Sequence, residues 1–149
     1  MIHHLFRTTN VTAPAEDVWN FIATPRNLNL ITPENLSFII LSEVPEKMYE
    51  GLLIHYNVKI PMFGKWSWLT EIKHIHDGKS FVDEQRSGPY RLWYHYHEVQ
   101  TYSDGTKIID QVTYQMPLGL LGDLVNRMII KRQLDEIFNY REEVFKKIF

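Results

Sequence analysis

The middle of the chain consists of β-branched and aromatic runs in which apolar and polar residues alternate. Alternation of this kind, interrupted by turn dipeptides every ~8–12 residues, is typical of antiparallel β-strands. The runs predict six strands, at residues 37–41, 52–60, 66–76, 80–87, 91–102 and 106–116, and a further strand at residues 4–11.

Helical patterns lie on either side of these strands. Pro14 with Glu16 and Asp17 is a helix start signal, because proline and acidic residues are favoured in a first helical turn. Two Thr-Pro pairs follow, so we expect two or three short helices between residues 14 and 35. After Pro117, apolar residues recur at helical spacing and predict one long amphipathic helix. Its apolar residues are Leu121, Leu124, Val125, Met128, Leu134, Ile137, Phe138, Val144, Phe145 and Ile148.

This order of elements predicts an α+β fold. A strongly curved meander of strands has to cover its concave face, and the terminal helix is the only element long enough to do so. We therefore expect a sheet that wraps around the C-terminal helix, with space between them. No repeat, low-complexity tract or linker interrupts the sequence, so residues 1–149 are expected to form a single domain.

Tight turns predict how the strands pair. Asp77-Gly78 and Asp104-Gly105 are strong two-residue hairpin signals, because both central residues of such a turn need a positive φ. A turn centred on Asp104-Gly105 would place His95 opposite Tyr114.

The remaining hairpin has two possible turns. A two-residue turn would set Arg86 opposite Arg91, and like charges in that position are destabilising. A three-residue turn at Gly88-Pro89-Tyr90 avoids this pair and places Asp83 opposite His95. We expect the three-residue turn.

These registers sort the strand residues into two faces. The outer face, with Glu84, Arg86, Arg91, Tyr94, Tyr96, Glu98 and Gln111, is an ordinary solvent side. The inner face mixes aromatic and titratable side chains, which is too polar for a closed core and too aromatic for a surface. We therefore expect it to line a cavity. Its residues are Ile54, Tyr56, Val58, Trp68, Thr70, Ile72, Phe81, Asp83, Gln85, Trp93, His95, His97, Val99, Asp110, Val112, Tyr114 and Met116.

Composition narrows the class of protein. The 149 residues carry a net charge of −2 with scattered Lys and Arg, so binding to nucleic acid is not expected. The absence of cysteine excludes disulfides and thiolate sites. No segment approaches the ~18 apolar residues of a membrane span, and no signal peptide is recognisable, so we expect a soluble, cytoplasmic protein without stable membrane insertion. The sequence does not indicate an oligomeric state.

Several segments together resemble a known family. They are "TAPAEDVWNFIATPRNLNLITPENLSF", "W.TEI" at residues 68–72, "FVDEQRSGPY..W.H.H", "D.V.Y..P.G" at residues 110–119 and "IF.YR" at residues 137–141. The likeness is to polyketide cyclase/dehydrase-like proteins of the START-type (SRPBCC) ligand-binding superfamily and covers nearly the whole chain. It implies a helix-grip fold, with a seven-stranded curved antiparallel sheet around a long C-terminal helix and a deep apolar cavity. Members of that superfamily bind lipids, sterols or polyketides, and some catalyse cyclisation or aromatisation.

Asp83, His95 and Tyr114 are the candidate catalytic residues. The carboxylate would orient the imidazole of His95 as a general base near neutral pH, and Tyr114 would donate to a developing enolate oxygen. The alternative is an ion pair between Asp83 and His95 that only satisfies two buried polar groups.

The chain is expected to bind a small hydrophobic or aromatic, lipid- or polyketide-like molecule. The alternatives are a cyclase or dehydratase-type enzyme acting on a carbonyl compound, and a protein-interaction module using the tyrosine-rich outer face of residues 91–102. Met62, Phe63 and Trp66, expected on a loop, would form either a gate to the cavity or a small satellite core. The candidate ligand-binding residues are Tyr56, Trp68, Thr70, Gln85, Trp93, His97, Asp110, Val112 and Met128.

No cofactor and no metal site is predicted. His95 and His97 alternate on one strand face, as pairs of metal-binding histidines often do, and Asp83 or Asp110 would add a carboxylate. The aromatic neighbours of these histidines suit the wall of a ligand pocket at least as well.

Overall fold

The computed structural model describes residues 1–60 and 62–149. Seven strands form its sheet, three α-helices and a π-helical segment account for most of the helical residues, and two short 3-10 turns follow the first helix. In chain order these elements are β1 (Ile2–Val11), α1 (Ala15–Ile22), the 3-10 turns Pro25–Asn29 and Glu34–Leu36, β2 (Ile39–Ile40), β3 (Leu53–Ile60), β4 (Gly64–His76), β5 (Ser80–Ser87), β6 (Leu92–Tyr102), β7 (Gly105–Gln115), α2 (Gly119–Val125), the π-helical segment Asn126–Ile130 and α3 (Lys131–Ile148).

All seven strands form one antiparallel sheet in the order β1-β7-β6-β5-β4-β3-β2. The first strand pairs with the last, so the meander from β2 to β7 continues into β1 at its far edge. The sheet is curved around the helical residues 119–148, and the predicted α+β helix-grip architecture is confirmed. No helix in the described part of the chain is long and apolar enough to cross a membrane.

The pairing of β5 with β6 follows the predicted register. Asp83 lies directly opposite His95, and Phe81 lies opposite His97. The preference for a three-residue turn, made to avoid a pair of facing arginines, is therefore confirmed for this part of the ladder.

The hairpin between β6 and β7 differs from the prediction. Its central residues are Ser103 and Asp104, so Tyr102 pairs with Gly105 and the turn lies one residue earlier than expected. The cause is a close approach of β1: a Cβ at position 105 would overlap the carbonyl oxygen of Val11. Gly105 is needed for this contact between backbones and not for a positive φ.

The earlier turn shifts the pairing of β6 with β7 by two residues. Every side chain keeps its predicted face, because the side-chain period of a strand is two. The facing partners change, however. Asp110 lies opposite His97, whereas Tyr114, predicted opposite His95, lies opposite Trp93.

The pairing of β4 with β5 is as predicted in the middle and different at the turn. The predicted turn at Asp77-Gly78 implies Thr70 opposite Gln85, Ile72 opposite Asp83 and His76 opposite Lys79. The first two pairs are present, but His76 pairs with Ser80 because the ladder is irregular between Lys73 and His76. The backbone N–H groups of His74 and Ile75 donate to the Glu50 carboxylate there, and His74 has a φ of 54°.

The C-terminal helical run is continuous over residues 119–148, as predicted, but the first part of its apolar face is not the predicted one. Leu121, Leu124 and Met128 are exposed, whereas Asn126 and Ile130 are buried. The π-helical segment Asn126–Ile130 explains the difference, since its wider turn rotates the residues before it relative to those after it. After the segment, the buried face is Leu134, Phe138, Arg141 and Phe145.

The core lies between the inner face of the sheet and this helix. Short helices close one end of it: the Phe21 ring of α1 packs edge-on against Phe145 and Phe149 at centroid distances of 6.2 and 5.4 Å. The opposite side of α1 is tied to the turn after β4, where the Trp19 indole N–H donates to Asp77 at 3.0 Å.

We expect Gly105→Ala to lower the free energy of unfolding by about 1–3 kcal/mol, because the added methyl group forces β1 and β7 apart. Urea denaturation measures the change. Asp104→Ala, at the exposed neighbouring turn position, is the control and should stay within about 0.5 kcal/mol of wild type. Equal stabilities for wild type and Gly105→Ala would contradict the close approach.

Candidate functional site

Two neighbouring cavities lie between the inner face of the sheet and the helices, with volumes of about 140 and 110 Å³. The larger cavity extends towards α1, where Phe21 and Ile22 line it. The smaller one extends along α3 to Gln133 and Phe138. Both are lined by the same six residues where they adjoin: Leu28, Tyr56, Trp68, Trp93, His95 and Arg141.

Aromatic side chains of β3, β4 and β6 form the shared wall. The Tyr56 ring is stacked on Trp68 at a centroid distance of 5.7 Å, and Trp68 meets Trp93 edge-on at 5.2 Å. Aromatic pairs in these geometries stabilise a structure by ~0.5–1.5 kcal/mol beyond the burial of their area. The wall is therefore a packed surface that exists before any ligand binds.

Four titratable side chains, Asp83, His95, His97 and Asp110, line the larger cavity and form one cluster, which we call the tetrad. Asp83 Oδ2 lies 2.6 Å from His97 Nε2 and 3.2 Å from His95 Nδ1. Asp110 Oδ1 lies 2.8 Å from His95 Nε2 and 3.1 Å from His97 Nδ1. Each imidazole therefore contacts both carboxylates.

The tetrad follows from strand alternation and register. Asp83 of β5 faces His95 of β6, and Asp110 of β7 faces His97 of β6, so the four residues occupy adjacent inner positions of three neighbouring strands. The two imidazole centroids are 3.7 Å apart. On the far side of His97 the Phe81 ring is stacked at 4.2 Å and covers the cluster.

Burial and mutual contact act in opposite directions on the tetrad. Burial alone would raise the pKa of Asp83 and Asp110, but the charges of His95 and His97 and the hydrogen bonds from them outweigh it and hold both pKa values well below the ordinary 3.8. Burial alone would lower the pKa of His97, but hydrogen bonds to Asp110 and Asp83 raise it above the ordinary 6.5. Charged carboxylates are thus maintained inside the sheet.

Arg141 brings a further charge to the site from α3. Its residue is only 9% exposed, and its guanidinium lies over the Phe138 ring at 4.9 Å. Its nearest carboxylate oxygen, on Asp110, is 3.8 Å away, which is too far for a hydrogen bond. The Arg141 Nε atom is buried without a hydrogen-bond partner among the described residues. Such a group costs free energy unless something else accepts from it.

Two other buried polar atoms at the smaller cavity have no partner in the described part of the chain. They are the indole N–H of Trp68 and the side-chain oxygen of Gln133. With Arg141, the walls of this cavity contain two unpaired donors and one unpaired acceptor. Trp93, by contrast, donates its indole N–H to Asp83 Oδ1 at 3.2 Å.

Solved structures with the same architecture span the whole chain. A START superfamily protein from Mycobacterium smegmatis superposes with a TM-score of 0.73 at 14% identity over 99% of both chains. The Zhui aromatase/cyclase from Streptomyces sp. R1128 gives 0.70 at 13% identity over 100% of this chain and 97% of that one. Ginseng major latex-like protein 151 from Panax ginseng gives 0.67 at 15% identity over 97% and 98%. This chain has the START-like helix-grip fold.

At these identities the likeness establishes the fold. Neither a scan of protein-family models nor a search of curated proteins gives a match to the sequence. Within the START-like fold, the function of the site therefore depends on the residues and the geometry that are present in this chain.

Eight of the twelve predicted site residues line the larger cavity of the START-like fold. Thr70 is among them, although its hydroxyl already donates to the backbone oxygen of Glu84 at 3.1 Å. The eight residues are Tyr56, Trp68, Thr70, Asp83, Trp93, His95, His97 and Asp110.

Tyr114 and Val112 lie on the inner face but not at the cavities. The Tyr114 hydroxyl donates to Asn126 Oδ1 at 2.9 Å, so it anchors the start of the C-terminal helical run. Val112 is 1% exposed and belongs to the packed core between β1 and β6. The two-residue shift of β7 accounts for both positions.

Gln85 and Met128 are also outside the cavities. The Gln85 side-chain amide donates to the backbone oxygen of Tyr90 at 2.6 Å and accepts from the backbone N–H of Tyr90 at 3.2 Å. Gln85 therefore holds the turn between β5 and β6. Met128 is 69% exposed because of the π-helical segment, so its assignment to the ligand-binding set was wrong.

Sequence reasoning missed the helical side of the site. Arg141 and Phe138 follow Leu134 at helical spacing on the buried face of α3, so a single arginine interrupts an apolar stripe. A charged residue on an apolar helix face was the signal in the sequence that could have identified Arg141 as a site residue. Phe21 and Leu28 line the cavities from the short helices, and no feature of the sequence distinguished them from ordinary core residues.

The expected gate residues lie where β3 turns into β4. Pro61 of that segment is outside the described residues. Met62 is 84% exposed, and Phe63 is 43% exposed. Trp66 lies within β4, opposite Val58, and not on a loop as predicted. None of the three residues lines either cavity, and the gate stays a prediction.

We expect Asp83 and His95 to be energetically coupled. A double-mutant cycle with Asp83→Ala and His95→Ala should give a coupling of about 0.5–3 kcal/mol in the free energy of unfolding, because each residue is the buried partner of the other. The control pair Lys73 and Glu84, 2.6 Å apart on the outer face of the neighbouring hairpin of β4 and β5, should give at most about 1 kcal/mol. Additive effects for Asp83 and His95 would show that their contact contributes nothing.

Proposed function

We propose that this chain binds a small hydrophobic or aromatic molecule in the cavities between the sheet and the C-terminal helix. The observation that carries the proposal is a preformed aromatic wall whose cavities also contain buried polar atoms without partners. An apolar cavity of ~150 Å³ holds one benzene molecule. Cavities of about 140 and 110 Å³ therefore suit a ligand with one or two rings, or an aliphatic chain of similar volume.

The ligand carries a hydrogen-bond acceptor, best a carboxylate or a carbonyl oxygen. Arg141 supports this part of the proposal, because its buried Nε–H has no partner among the described residues, which is costly, and an anionic or carbonyl oxygen from the ligand would accept from it. The Trp68 indole N–H adds a second donor at the same cavity. The Gln133 oxygen would accept from a hydroxyl group on the ligand.

Two of the structural neighbours agree with a role in binding. One is named as an aromatase/cyclase and another as a START superfamily protein. These names describe the neighbours. For this chain the fold supplies a sheet and helix around a cavity, and the residues that line it decide what enters.

Native mass spectrometry of the freshly purified protein, followed by solvent extraction, is the direct test. An apolar or aromatic adduct that contains an acid or carbonyl group would support the proposal. If no adduct is present, the purified protein should still bind aromatic acids added in solution. A protein that neither carries nor takes up such a molecule would overturn it.

We expect Arg141→Met to remove a preference for anionic ligands. Wild type should bind 2-naphthoate more tightly than its neutral methyl ester, because a charged hydrogen bond contributes ~1.5–3 kcal/mol, or about 10- to 100-fold in affinity. Fluorescence titration of both compounds measures the ratio. Arg132→Met on the same helix is the control, since Arg132 is exposed and away from the cavities. If Arg141→Met still prefers 2-naphthoate over its ester, Arg141 does not bind the anionic group of the ligand.

A second candidate function is proton transfer on a carbonyl-containing ligand, as in a cyclase or dehydratase. The contact between Asp83 and His95 at the cavity wall favours it, because a carboxylate beside an imidazole can orient the ring for proton transfer. Tyr114 is not placed to donate to an enolate oxygen, as the sequence had suggested. Its hydroxyl donates to Asn126 Oδ1, and the residue does not line the cavity.

If this candidate function is right, we expect the protein in D2O to catalyse the exchange of hydrogen for deuterium in a bound ketone, at the carbon next to its carbonyl group. His95→Ala should slow the exchange by ~10²- to 10⁴-fold, the usual contribution of a general base. Mass spectrometry of the recovered 2-acetylnaphthalene, whose methyl group is adjacent to the carbonyl, follows the reaction. If the ketone exchanges no faster with the protein than in buffer alone, the protein does not catalyse proton transfer, and ligand binding is its proposed function.

A further inference from the structure

The tetrad brings two imidazole nitrogens and a carboxylate oxygen together where all three could bind one cation. A neutral imidazole has one N–H and one bare nitrogen. Asp110 Oδ1 is placed to accept from both rings, at 2.8 Å from His95 Nε2 and 3.1 Å from His97 Nδ1. The remaining nitrogens, His95 Nδ1 and His97 Nε2, then both face Asp83 Oδ2. In that state three electron-pair donors converge on one point, and a cation between them would take the place of the protons that otherwise bridge these contacts.

The distances between these atoms suit a metal ion. Ligand atoms bound at ~2.0–2.2 Å in tetrahedral or octahedral geometry are ~2.9–3.5 Å apart. His95 Nδ1 is already 3.2 Å from Asp83 Oδ2, whereas His97 Nε2 at 2.6 Å has to move outward by a few tenths of an ångström. All three ligand atoms lie within 4.8 Å of one another.

Second contacts orient each of the three ligands. Asp110 holds both imidazoles through their other nitrogen, which is how carboxylates support metal-binding histidines. Trp93 donates to the second oxygen of Asp83 at 3.2 Å and leaves Oδ2 free. Phe81 packs against His97. These contacts keep the imidazole and carboxylate planes in place before an ion binds.

We propose that Asp83, His95 and His97 bind one divalent first-row transition metal ion, with Asp110 orienting the two imidazoles. Two nitrogen ligands and one carboxylate suit Zn²⁺, Fe²⁺, Co²⁺ or Mn²⁺ better than Ca²⁺ or Mg²⁺, which prefer oxygen ligands. With neutral imidazoles, the charges of Asp83, Asp110 and Arg141 sum to −1, and this favours a cation. The ligands also line the larger cavity, so further coordination positions would be open to water or to an oxygen atom of a cavity ligand.

Titration of the metal-free protein with Co²⁺ tests the proposal without any organic ligand. The protein is first dialysed against a chelator, and the visible absorption of Co²⁺ then reports nitrogen-containing coordination and stoichiometry. We expect one Co²⁺ per chain, displaced by one Zn²⁺. Native mass spectrometry gives an independent count of bound ions. Failure of wild type to bind Co²⁺ or Zn²⁺ would overturn the proposal, whether or not the cavity binds apolar molecules.

Matched variants locate the ion. Asp83→Asn and His97→Asn should each weaken Co²⁺ binding by at least ~10-fold, since even the loss of a supporting residue has that effect. Glu84→Gln, the next residue on β5 but on the outer face, should bind like wild type.

His3→Asn is a second control, because His3 lies 3.1 Å from Asp123 in a separate histidine and carboxylate pair. Loss of the spectrum in His3→Asn but not in Asp83→Asn would place the ion elsewhere and refute the assignment. Circular dichroism of each variant separates loss of binding from loss of folding. A variant of Asp83 or His97 that is folded and binds Co²⁺ normally would also refute it.

Discussion

Burial of two carboxylates beneath a curved sheet is the constraint around which this protein is organised. Asp83 and Asp110 lie among aromatic side chains where an isolated charge would be costly, and the two imidazoles between them offset that cost by contacting both. This balance requires three adjacent strands in one register, because moving β7 by a single residue would send Asp110 to the solvent face. The tetrad thus makes the pairing of β5, β6 and β7 unique as well as stable.

The C-terminal helix adapts to the same cluster. Arg141 reaches the site from the buried face of α3 and approaches Asp110 without forming a hydrogen bond. Its stem and guanidinium are supported by Phe138. The π-helical segment before α3 lets Asn126 meet the hydroxyl of Tyr114 while the buried stripe continues at Ile130. The helix is therefore attached to the sheet at both ends of the cavities, with room left between the attachments.

The proposed ligand and the proposed ion use different parts of one site. The unpaired donors of Arg141 and Trp68 lie in the wall that both cavities share, whereas Asp83 and His97 line only the larger one. Trp93 and His95 also line both cavities. An acidic or carbonyl group held by Arg141 would thus lie within the same enclosed region as the tetrad. Ligand binding and metal coordination are chemically compatible there, whereas an ion bound to His95 Nδ1 would exclude His95 as a general base, because its Nε2 is held by Asp110.

Local sequence signals determined much of this protein. Alternation and turn residues were enough to predict the seven strands, the inner face and the pairing of Asp83 with His95, since each depends on neighbours close in the chain. The pairing of His97 with Asp110 was not predictable, because the turn at Ser103 and Asp104 is positioned by the contact of Gly105 with Val11 of the distant strand β1.

The helical side of the site depended on tertiary structure in the same way. The regular helical period placed Met128 on the buried face, and a π-helical segment moved it to solvent. Arg141 was visible as a charge on an apolar stripe, but only the packing of α3 against the sheet shows which carboxylate and which cavities it meets. The sequence by itself thus determined which residues face inward, through the periods of strand and helix. Which of those residues touch was decided by contacts between distant segments, because pairing register and helix rotation respond to packing that no local pattern records.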